Sequence, residues 1–526
     1  MPLIENNTLD QWLFAEESLS PLDALRLDDV LKTRPPFYFV GIGGAGMSAL
    51  ALALHAKGFD VSGSDVTTSS TTRRLQETGV TVFQGHQAEQ VPKQAVVVLS
   101  TAIDEKNPEV QQALACQQPL WHRSQVLQCL MHSPCLGSSI SIGLTGTHGK
   151  TTLTGLMDSV LLQAKFPALT LAGGKLPQLG QNLRLTEGAT TCVAELDESD
   201  GTILRYAPTF TILANLELDH ADHYTDGLTH LLNTFERFFS QLTRFSERHR
   251  TPTPSIILNG QCENTLKIIH ALPEDVHRFW IFDDQNHADD FKEIGTRYLI
   301  QTEAEGFSLS VKTAETWEPI ESPTNEPLRL SIPGHHNVWN ASMVAVVALQ
   351  LGIAMGDVAQ GLEAFTGMGR RFEIVGQYKN ARWIDDYAHH PTEVNVTLQA
   401  SRQYMQRLGL TGKLIACFQP HRYTRLQALW DGFLDAFKEA DVVYILDTFH
   451  AFEAPITGID SPHFVDALKA KFPQQTIAYA PDVATLQATL AETVHAQDVV
   501  LSMGAGTITH LFRTAPFQED RGAGGC

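Results

Sequence analysis

The sequence predicts three α/β domains in series, on three observations. From Phe37 onward, short apolar strands alternate with helical segments, the pattern of parallel sheets covered on both faces. Two of these strands run into a glycine turn followed by a helix, at Gly41 and at Gly146. A third run of strands begins near Gly367, and its members end in acids, histidines or arginines. The chain has 526 residues, 43% of them hydrophobic and 18% charged, which is ample for several cores.

Residues 1–34 are acidic and mildly amphipathic and stop at Pro35-Pro36. They are expected to form an extension outside the main fold, with one or two short helices. The first domain is expected over residues 35–136. Within it FYFVGI reads as a buried strand, AGMSALALALHAK as a helix, FDVSGSD as a second strand ending in an acid, and AVVVLS as another. The second domain, 137–366, opens with SISIGLTGTHGKTTLTGLMDSVLL, a strand, glycine loop and helix. CVAELDESD and TFTILANLELDH each carry an apolar strand into acids and histidines, and NVWNASMVAVVALQLG closes the block as a helix. The third domain, 367–526, holds the strands of ARWIDDYAHH, KLIACFQPHR, ADVVYILDTF and DVVLSMGAG.

Composition narrows the function. A net charge of -21 disfavours a nucleic-acid footprint, which needs clustered Lys and Arg, so any anion site must be built locally. No apolar run approaches the roughly 18 residues of a membrane span, and the first 25 residues hold no Lys or Arg to begin a signal peptide. Seven cysteines are scattered without paired metal spacing. Reduced thiols in a cytoplasmic protein, with no nucleic-acid partner and no membrane insertion, are the expectation.

Gly41, Gly43 and Gly46 give G-x-G-x-x-G between a strand and a helix, and Asp65 follows 19 residues after the last glycine. Glycines admit a diphosphate close to the backbone, and the helix start offers N–H groups. By itself this stretch suggests a nicotinamide-dependent oxidoreductase, which would bind NAD(P)H and have no use for Lys150. No residue set for hydride transfer accompanies it.

The strongest local signal is Gly146-Thr147-His148-Gly149-Lys150-Thr151-Thr152. Strand, glycine loop, GKT and helix coincide there, although the strict P-loop pattern fails at its first position, Leu144. ATP is the expected ligand: Lys150 would place a charge on the β- and γ-phosphates, and the Thr151 hydroxyl would hold Mg²⁺. Glu195-Leu-Asp197-Glu198-Ser-Asp200 and Asn215-Leu-Glu217-Leu-Asp219-His220 stand at strand ends, where open α/β sheets bind ligands. The histidines suggest zinc as well, but they lack a clear three-ligand constellation. His335-His336-Asn337-Val338-Trp339-Asn340 reads either as a capped helix start or as a nucleotide contact. Gly369-Arg370-Arg371 reads as a solvated hinge or as charge for a γ-phosphate. Asp385-Asp386-Tyr387-Ala388-His389-His390 and Gln419-Pro420-His421-Arg422-Tyr423-Thr424-Arg425 follow strands and precede helices, so they share one rim of a sheet. Arginine forks there suit an anionic substrate, with a structural salt-bridge network as the competing reading.

Taken together, GIGGAGMS, GTHGKTT, ELDESDGT, NLELDHADHY, GHHNVWNA, GMGRRFE, DDYAHHPTE, FQPHRYTR, EAPITG and GAGTI resemble the Mur ligase family, in the family's order and over about residues 37–510. The resemblance implies a Rossmann-like N-terminal domain for a UDP-substrate, a central P-loop ATPase domain with a mostly parallel sheet, and a C-terminal Rossmann-like domain. It implies ATP-dependent joining of L-alanine to the lactyl carboxylate of UDP-N-acetylmuramate through an acyl phosphate, with ADP and phosphate released, for peptidoglycan synthesis. A recycling ligase that joins a whole peptide to the same acceptor is the alternative within the family. The expected partners are these small-molecule substrates, with the chain a monomer or homodimer.

The family pattern also assigns residues. Lys150, Glu195, His220, Arg371 and His389 are expected in catalysis, and Thr151, Glu195 and His220 at metal. ATP contacts are expected from Gly146 to Thr152 and from His336, Asn337, Asn340, Arg371 and Asp386. Gly43, Gly44, Ala45, Gly46, Ser64, Asp65 and His86 are expected around the UDP-substrate. Tyr387, His389, His421, Arg422 and Arg425 are expected near the amino acid and product. Leu196 and Ala388 depart tolerably from the pattern. The absence of Lys in residues 224–243 removes the carbamylated lysine that some sister enzymes use.

Overall fold

Strand β1 (Phe37–Val40) is buried at all four positions, as a strand covered on both faces must be. With β2 (Val61–Asp65), β3 (Thr81–Gln84), β4 (Val96–Leu99) and β5 (Leu120–His122) it makes a wholly parallel sheet of order β3-β2-β1-β4-β5. That is the Rossmann strand order without a sixth strand, and such a sheet binds ligands beyond the carboxyl ends of its strands, at the switch point between β1 and β4. The computed structural model describes residues 19–513, apart from 137, 177–178, 221–222, 250–251, 304–305, 315, 322–325 and 452.

The second sheet has ten strands. They are β6 (Ile140–Thr145), β7 (Ala168–Leu176), β8 (Gln181–Leu185), β9 (Thr191–Glu195), β10 (Phe210–Leu213), β11 (Ser255–Asn259), β12 (His277–Phe282), β13 (Thr296–Glu303), β14 (Gly306–Lys312) and β15 (Trp317–Pro319). Their order is β15-β14-β13-β12-β11-β10-β6-β9-β7-β8, parallel except at the two ends, where β8 and the β13-β14-β15 meander run antiparallel. The helix Lys150–Gln163 follows β6, and the helix Met355–Ala364 packs on it; Ser159 donates to the Gly361 carbonyl at 2.6 Å.

The third sheet comprises β16 (Glu373–Tyr378), β17 (Ala381–Asp386), β18 (Leu414–Phe418), β19 (Val442–Leu446), β20 (Thr476–Ala480) and β21 (Val499–Met503). Its order is β16-β17-β21-β18-β19-β20, with only β16 antiparallel. Strand β18 sends Leu414, Ala416 and Phe418 into one core and Ile415 and Cys417 into another, so helices cover both faces.

The three sheets fall into two compact units. The first contains both the glycine-turn sheet and the ten-stranded sheet, through Ala364 but without two short segments. Those segments, Asp219–Thr225 and Leu330–Trp339, belong with the third sheet and residues 365–526 in the second unit. The stretch expected as an extension outside the fold is, from residue 19 on, part of the first unit. Its helix Asp23–Lys32 buries Ala24, Leu27 and Leu31 against the helix Arg123–His132, and Gln128 donates to the Ser20 and Pro21 carbonyls. The apolar positions recur at helical spacing, and such a stripe is stable only when something covers it. The remainder of the expected extension lies outside the described residues. Among the described residues no helix is long and apolar enough to cross a membrane.

Candidate functional site

In the first unit, the glycine loop after β6 lies beside the segment after β10. Gly146, at φ +129°, follows β6, and a side chain added there would stand 2.9 Å from the Asn215 carbonyl oxygen. The loop is thus pressed against the segment after β10. Thr147 Oγ1 donates to the Glu217 carbonyl and accepts from the Glu217 N–H, and the His148 N–H donates to Asn215 Oδ1 at 2.9 Å. Gly149, left-handed at φ +88°, begins the helix Lys150–Gln163, with the Asn340 amide 3.3 Å from where its Cβ would be. A left-handed residue at a helix start leaves the first N–H groups pointing outward, toward an anion.

Lys150 curls over its own loop. Its Nζ donates to the Gly146 carbonyl at 2.7 Å and to both oxygens of Glu198 at 2.9 and 2.8 Å. Burial acts to lower its pKa, but Glu198, Asp197 and Glu195 outweigh that and raise it, so the ammonium is charged. Thr151 Oγ1 donates to Glu195 Oε2 at 3.1 Å, and the other oxygen of that carboxylate accepts from the Gly173 N–H. Two hard oxygen donors therefore stand together behind the lysine, the chemistry that suits Mg²⁺. Thr152 faces the helix's buried side instead of the loop.

The first sheet holds its glycine turn differently. Asp65 Oδ2 accepts from the Gly43 N–H at 2.9 Å, and Oδ1 accepts from Thr67 N and Oγ1. Asp65 thus braces the turn. Gly44 caps the helix Ala45–Ala56, of which Gly46 is the second residue. Ser64 Oγ donates to Glu109 Oε2 at 2.6 Å and lies 2.8 Å from His86 Nδ1, which itself is 3.0 Å from Glu109. Tyr38 also donates to this fully buried carboxylate. An open cleft of ≈ 680 Å³ beside Ala45 is lined by Ser48, Arg74, Gly173, Lys175 and Asn182.

In the second unit, Asp219 receives a two-pronged pair from Arg425, Nε at 3.0 Å and Nη2 at 3.3 Å. Burial opposes ionisation of Asp219, but the guanidinium prevails and holds it well below the usual carboxylate range. His220 adjoins it at φ +53°, with Nε2 3.8 Å from Asp219 Oδ2. Arg425 Nη1 also lies 3.1 Å from His421 Nδ1, and the His421 and His389 rings are 6.1 Å apart. Burial and Arg425 push the His421 pKa down to about 4.

His389 Nδ1 is 2.9 Å from the Tyr387 carbonyl and 3.2 Å from Glu393 Oε2. Two acceptors at one nitrogen place the proton on Nδ1 and leave the lone pair on Nε2. Burial lowers the pKa of His389, which keeps the ring neutral. The guanidinium groups of Arg370 and Arg371 lie 4.8 and 5.2 Å from the Tyr387 ring centroid, and Arg371 is 3.7 Å from Glu393. Asp386 accepts from the Phe372 and Ala388 N–H groups at 2.7 Å each, while burial pushes its pKa up to about 6. Asn337 donates to the Pro333 carbonyl at 2.6 Å. Burial, then His335 and Arg371, drive His336 down to about 4. Arg422, at φ +69°, caps the helix Tyr423–Ala428.

The expected residues thus form two sets. Thr151, Glu195, Lys150 and the loop backbone gather in the first unit; His220, Arg371, Asp386, Tyr387, His389, His421 and Arg425 gather in the second. The expected metal set is divided, with Thr151 and Glu195 in the first and His220 in the second. Sequence reasoning gave no role to Glu198, Asp219, Glu109, Glu393 or Arg123. Glu393 was legible as the third residue after the helix-capping His390. The others pair with residues distant in sequence, which no local pattern announces.

One chain that carries a strand–glycine loop–GKT–helix unit and two further mostly parallel sheets has the make-up of a nucleotide-dependent ligase class, and the chain belongs to the Mur ligase family. Three family models match it: "Mur ligase family, catalytic domain" over residues 36–133, "Mur ligase middle domain" over 144–348, and "Mur ligase, glutamate ligase domain" over 370–506. The chain is 34% identical to UDP-N-acetylmuramate--L-alanine ligase of Desulfotalea psychrophila, over 90% of this chain and 95% of that one. It is 36% identical to the Synechococcus enzyme of the same name, over 93% and 92%. Among solved structures, UDP-N-acetylmuramate-alanine ligase from Thermotoga maritima superposes with a TM-score of 0.67 at 26% identity, covering 91% of this chain and 97% of that one.

Proposed function

We propose that this protein is an ATP-dependent, ADP-forming ligase that joins L-alanine to the lactyl carboxylate of UDP-N-acetylmuramate for peptidoglycan synthesis in the cytoplasm. The observation that carries the reading is the first-unit cluster of a charged Lys150 at the start of a helix with the Thr151–Glu195 oxygen pair beside it. The relatives' shared name supports the choice of alanine as the amino acid.

A carboxylate is a poor electrophile, and phosphoryl transfer from ATP converts one of its oxygens into a leaving group. The helix N-terminus and the loop N–H groups bind the phosphates, and Lys150 neutralises charge on the transferring group. For that, the Nζ must leave Glu198, so Glu198 acts as the counter-ion of the resting loop. Thr151 Oγ1 and the Glu195 carboxylate would hold Mg²⁺, which supplies charge neutralisation on the phosphates when bound. His220 is proposed to assist a second ion. His336, Asn337, Asn340, Arg371 and Asp386 are proposed to contact the nucleotide.

The alanine ammonium must lose a proton before its nitrogen can attack the acyl phosphate. His389 is the proposed acceptor, since it is neutral near pH 7 and its basic nitrogen is Nε2. The amine then adds to the acyl carbon, and the tetrahedral adduct expels phosphate to leave the amide. Arg425, His421, Tyr387 and Arg422 are proposed to hold the anionic amino acid and product. The test is ADP release with UDP-N-acetylmuramate and either L-alanine or the L-alanyl-γ-D-glutamyl-diaminopimelate tripeptide. Release with L-alanine is expected. Stimulation by the tripeptide alone would overturn the reading in favour of a recycling ligase.

A further inference from the structure

The glycine turn of the first sheet carries no cation of its own, and the carboxylate of Asp65 sits directly against it. The positive charge for a diphosphate there must come from elsewhere in the fold. Arg123, first residue of the helix Arg123–His132, lies against the turn: a Cβ on Gly46 would be 3.3 Å from its Nη1. Its Nη2 donates to Asp197 Oδ2 at 2.9 Å, with Asp200 Oδ2 at 3.8 Å. Among the described residues Nη1 and Nε have no acceptor. The guanidinium is therefore tied through Nη2 and open at Nη1, and its side chain remains 29% exposed.

Electrostatics point the same way. Burial works against the charge of Arg123, but Asp197 and Asp200 outweigh it, so the guanidinium stays ionised. The segment 195–200 thus offers one acid to Thr151, one to Arg123 and one to Lys150.

We propose that Arg123 is the cation of the diphosphate turn: its Nη1, which faces Gly46, binds the diphosphate of the UDP-linked substrate, while Asp197 holds the guanidinium through Nη2 and competes for its charge. The inference rests on the reading above, since it takes the UDP-substrate as the ligand of the first sheet. Nη1 carries two N–H donors on a group that stays charged at every physiological pH, and its planar geometry lets Nη2 keep Asp197 while Nη1 reaches a phosphate oxygen.

Equilibrium binding of UDP, UDP-N-acetylglucosamine and UDP-N-acetylmuramate to the full chain tests it, with ADP binding as the control for an intact first unit. Arg123→Gln is expected to weaken all three UDP ligands by about tenfold or more, the loss of one charge-assisted contact, and to spare ADP. Arg123→Lys should fall between. Asp197→Asn should tighten UDP, because it frees the guanidinium from a rival anion. Equal UDP binding by wild type and Arg123→Gln overturns the inference alone. A loss confined to UDP-N-acetylmuramate overturns it in favour of the lactyl carboxylate as the arginine's ligand. Weakening by Asp197→Asn as large as that by Arg123→Gln overturns it in favour of a bracing ion pair. A wild-type chain that binds none of the three overturns the functional reading together with the inference.

Discussion

The two glycine turns of the first unit are built alike and equipped differently. Each follows a buried parallel strand and starts a helix, so each presents backbone N–H groups to an anion. The turn after β6 carries Lys150 within itself and has the Thr151–Glu195 oxygens at hand. The turn after β1 has neither; an acid braces it from β2 and its arginine comes from a helix beyond β5. On the proposed reading, the same backbone device meets phosphate in both places. Whether phosphate is held or transferred depends on the cation and metal-type donors set around it.

The sharpest way to break this contrast is to strip the transferring turn. Lys150→Ala is expected to lower ADP release about 10³-fold, and Glu195→Gln about 10²-fold, since each removes fixed charge from the transferring phosphate. Near-normal turnover in either variant would refute the division of labour. The same contrast appears in backbone tolerance. Gly146→Ala should cost ~1–3 kcal/mol in denaturant unfolding, because it combines φ +129° with a 2.9 Å approach to the Asn215 carbonyl. Gly44→Ala, with ordinary φ and its nearest neighbour at 3.4 Å, should cost less than about 0.5 kcal/mol.

A smaller effect is expected in the holding turn. Asp65→Asn weakens the acceptor of the Gly43 N–H and should raise the KM for UDP-N-acetylmuramate about tenfold, with kcat and the KM for ATP unchanged. A fall in kcat at constant KM would show that this turn takes part in transfer after all.

The smallest expected effect concerns the second unit, whose charges respond to pH. His336 and His421 have folded pKa values of about 4, against 6.5 as the ordinary value. Between pH 6.5 and 4 the unfolded chain therefore binds more protons, and these two groups destabilise the fold progressively as pH falls through that window. Asp386, pushed up to about 6 from 3.8, acts oppositely: its contribution is lost as pH rises between those values. His389, lowered by burial as well, joins the two histidines against the one carboxylate, so a net drop in Tm of a few degrees from pH 6.5 to 4 is expected, measured by calorimetry. His336→Gln should flatten that dependence, and His421→Gln should do so less, since more of its ring meets solvent.

Much of the fold was legible because it is local. The strand–turn–helix units at Phe37 and Ile140 announce themselves through apolar runs, glycines and the start of a helix. GKT at the start of a helix was legible for the same reason. The rims after β17 and β18 were legible as arginine and histidine clusters, though not their pairing. Asp219 and Arg425 are 206 positions apart, and nothing in NLELDHADH tells which acid meets that arginine. The stretch before Pro35 was misjudged because amphipathicity shows that a helix needs cover without showing what covers it. Here the cover is the helix Arg123–His132, contributed about a hundred residues later.

Residue types at short, fixed spacing specify the three α/β sheets, the two strand–glycine–helix turns and the family. Only the tertiary structure decided which acid neutralises which cation: Glu198 with Lys150, Asp197 with Arg123, Asp219 with Arg425. The physical reason is that charge pairing acts through space. An acid after one strand can serve any cation that the packing brings within about 4 Å, and spacing along the chain carries no record of that choice.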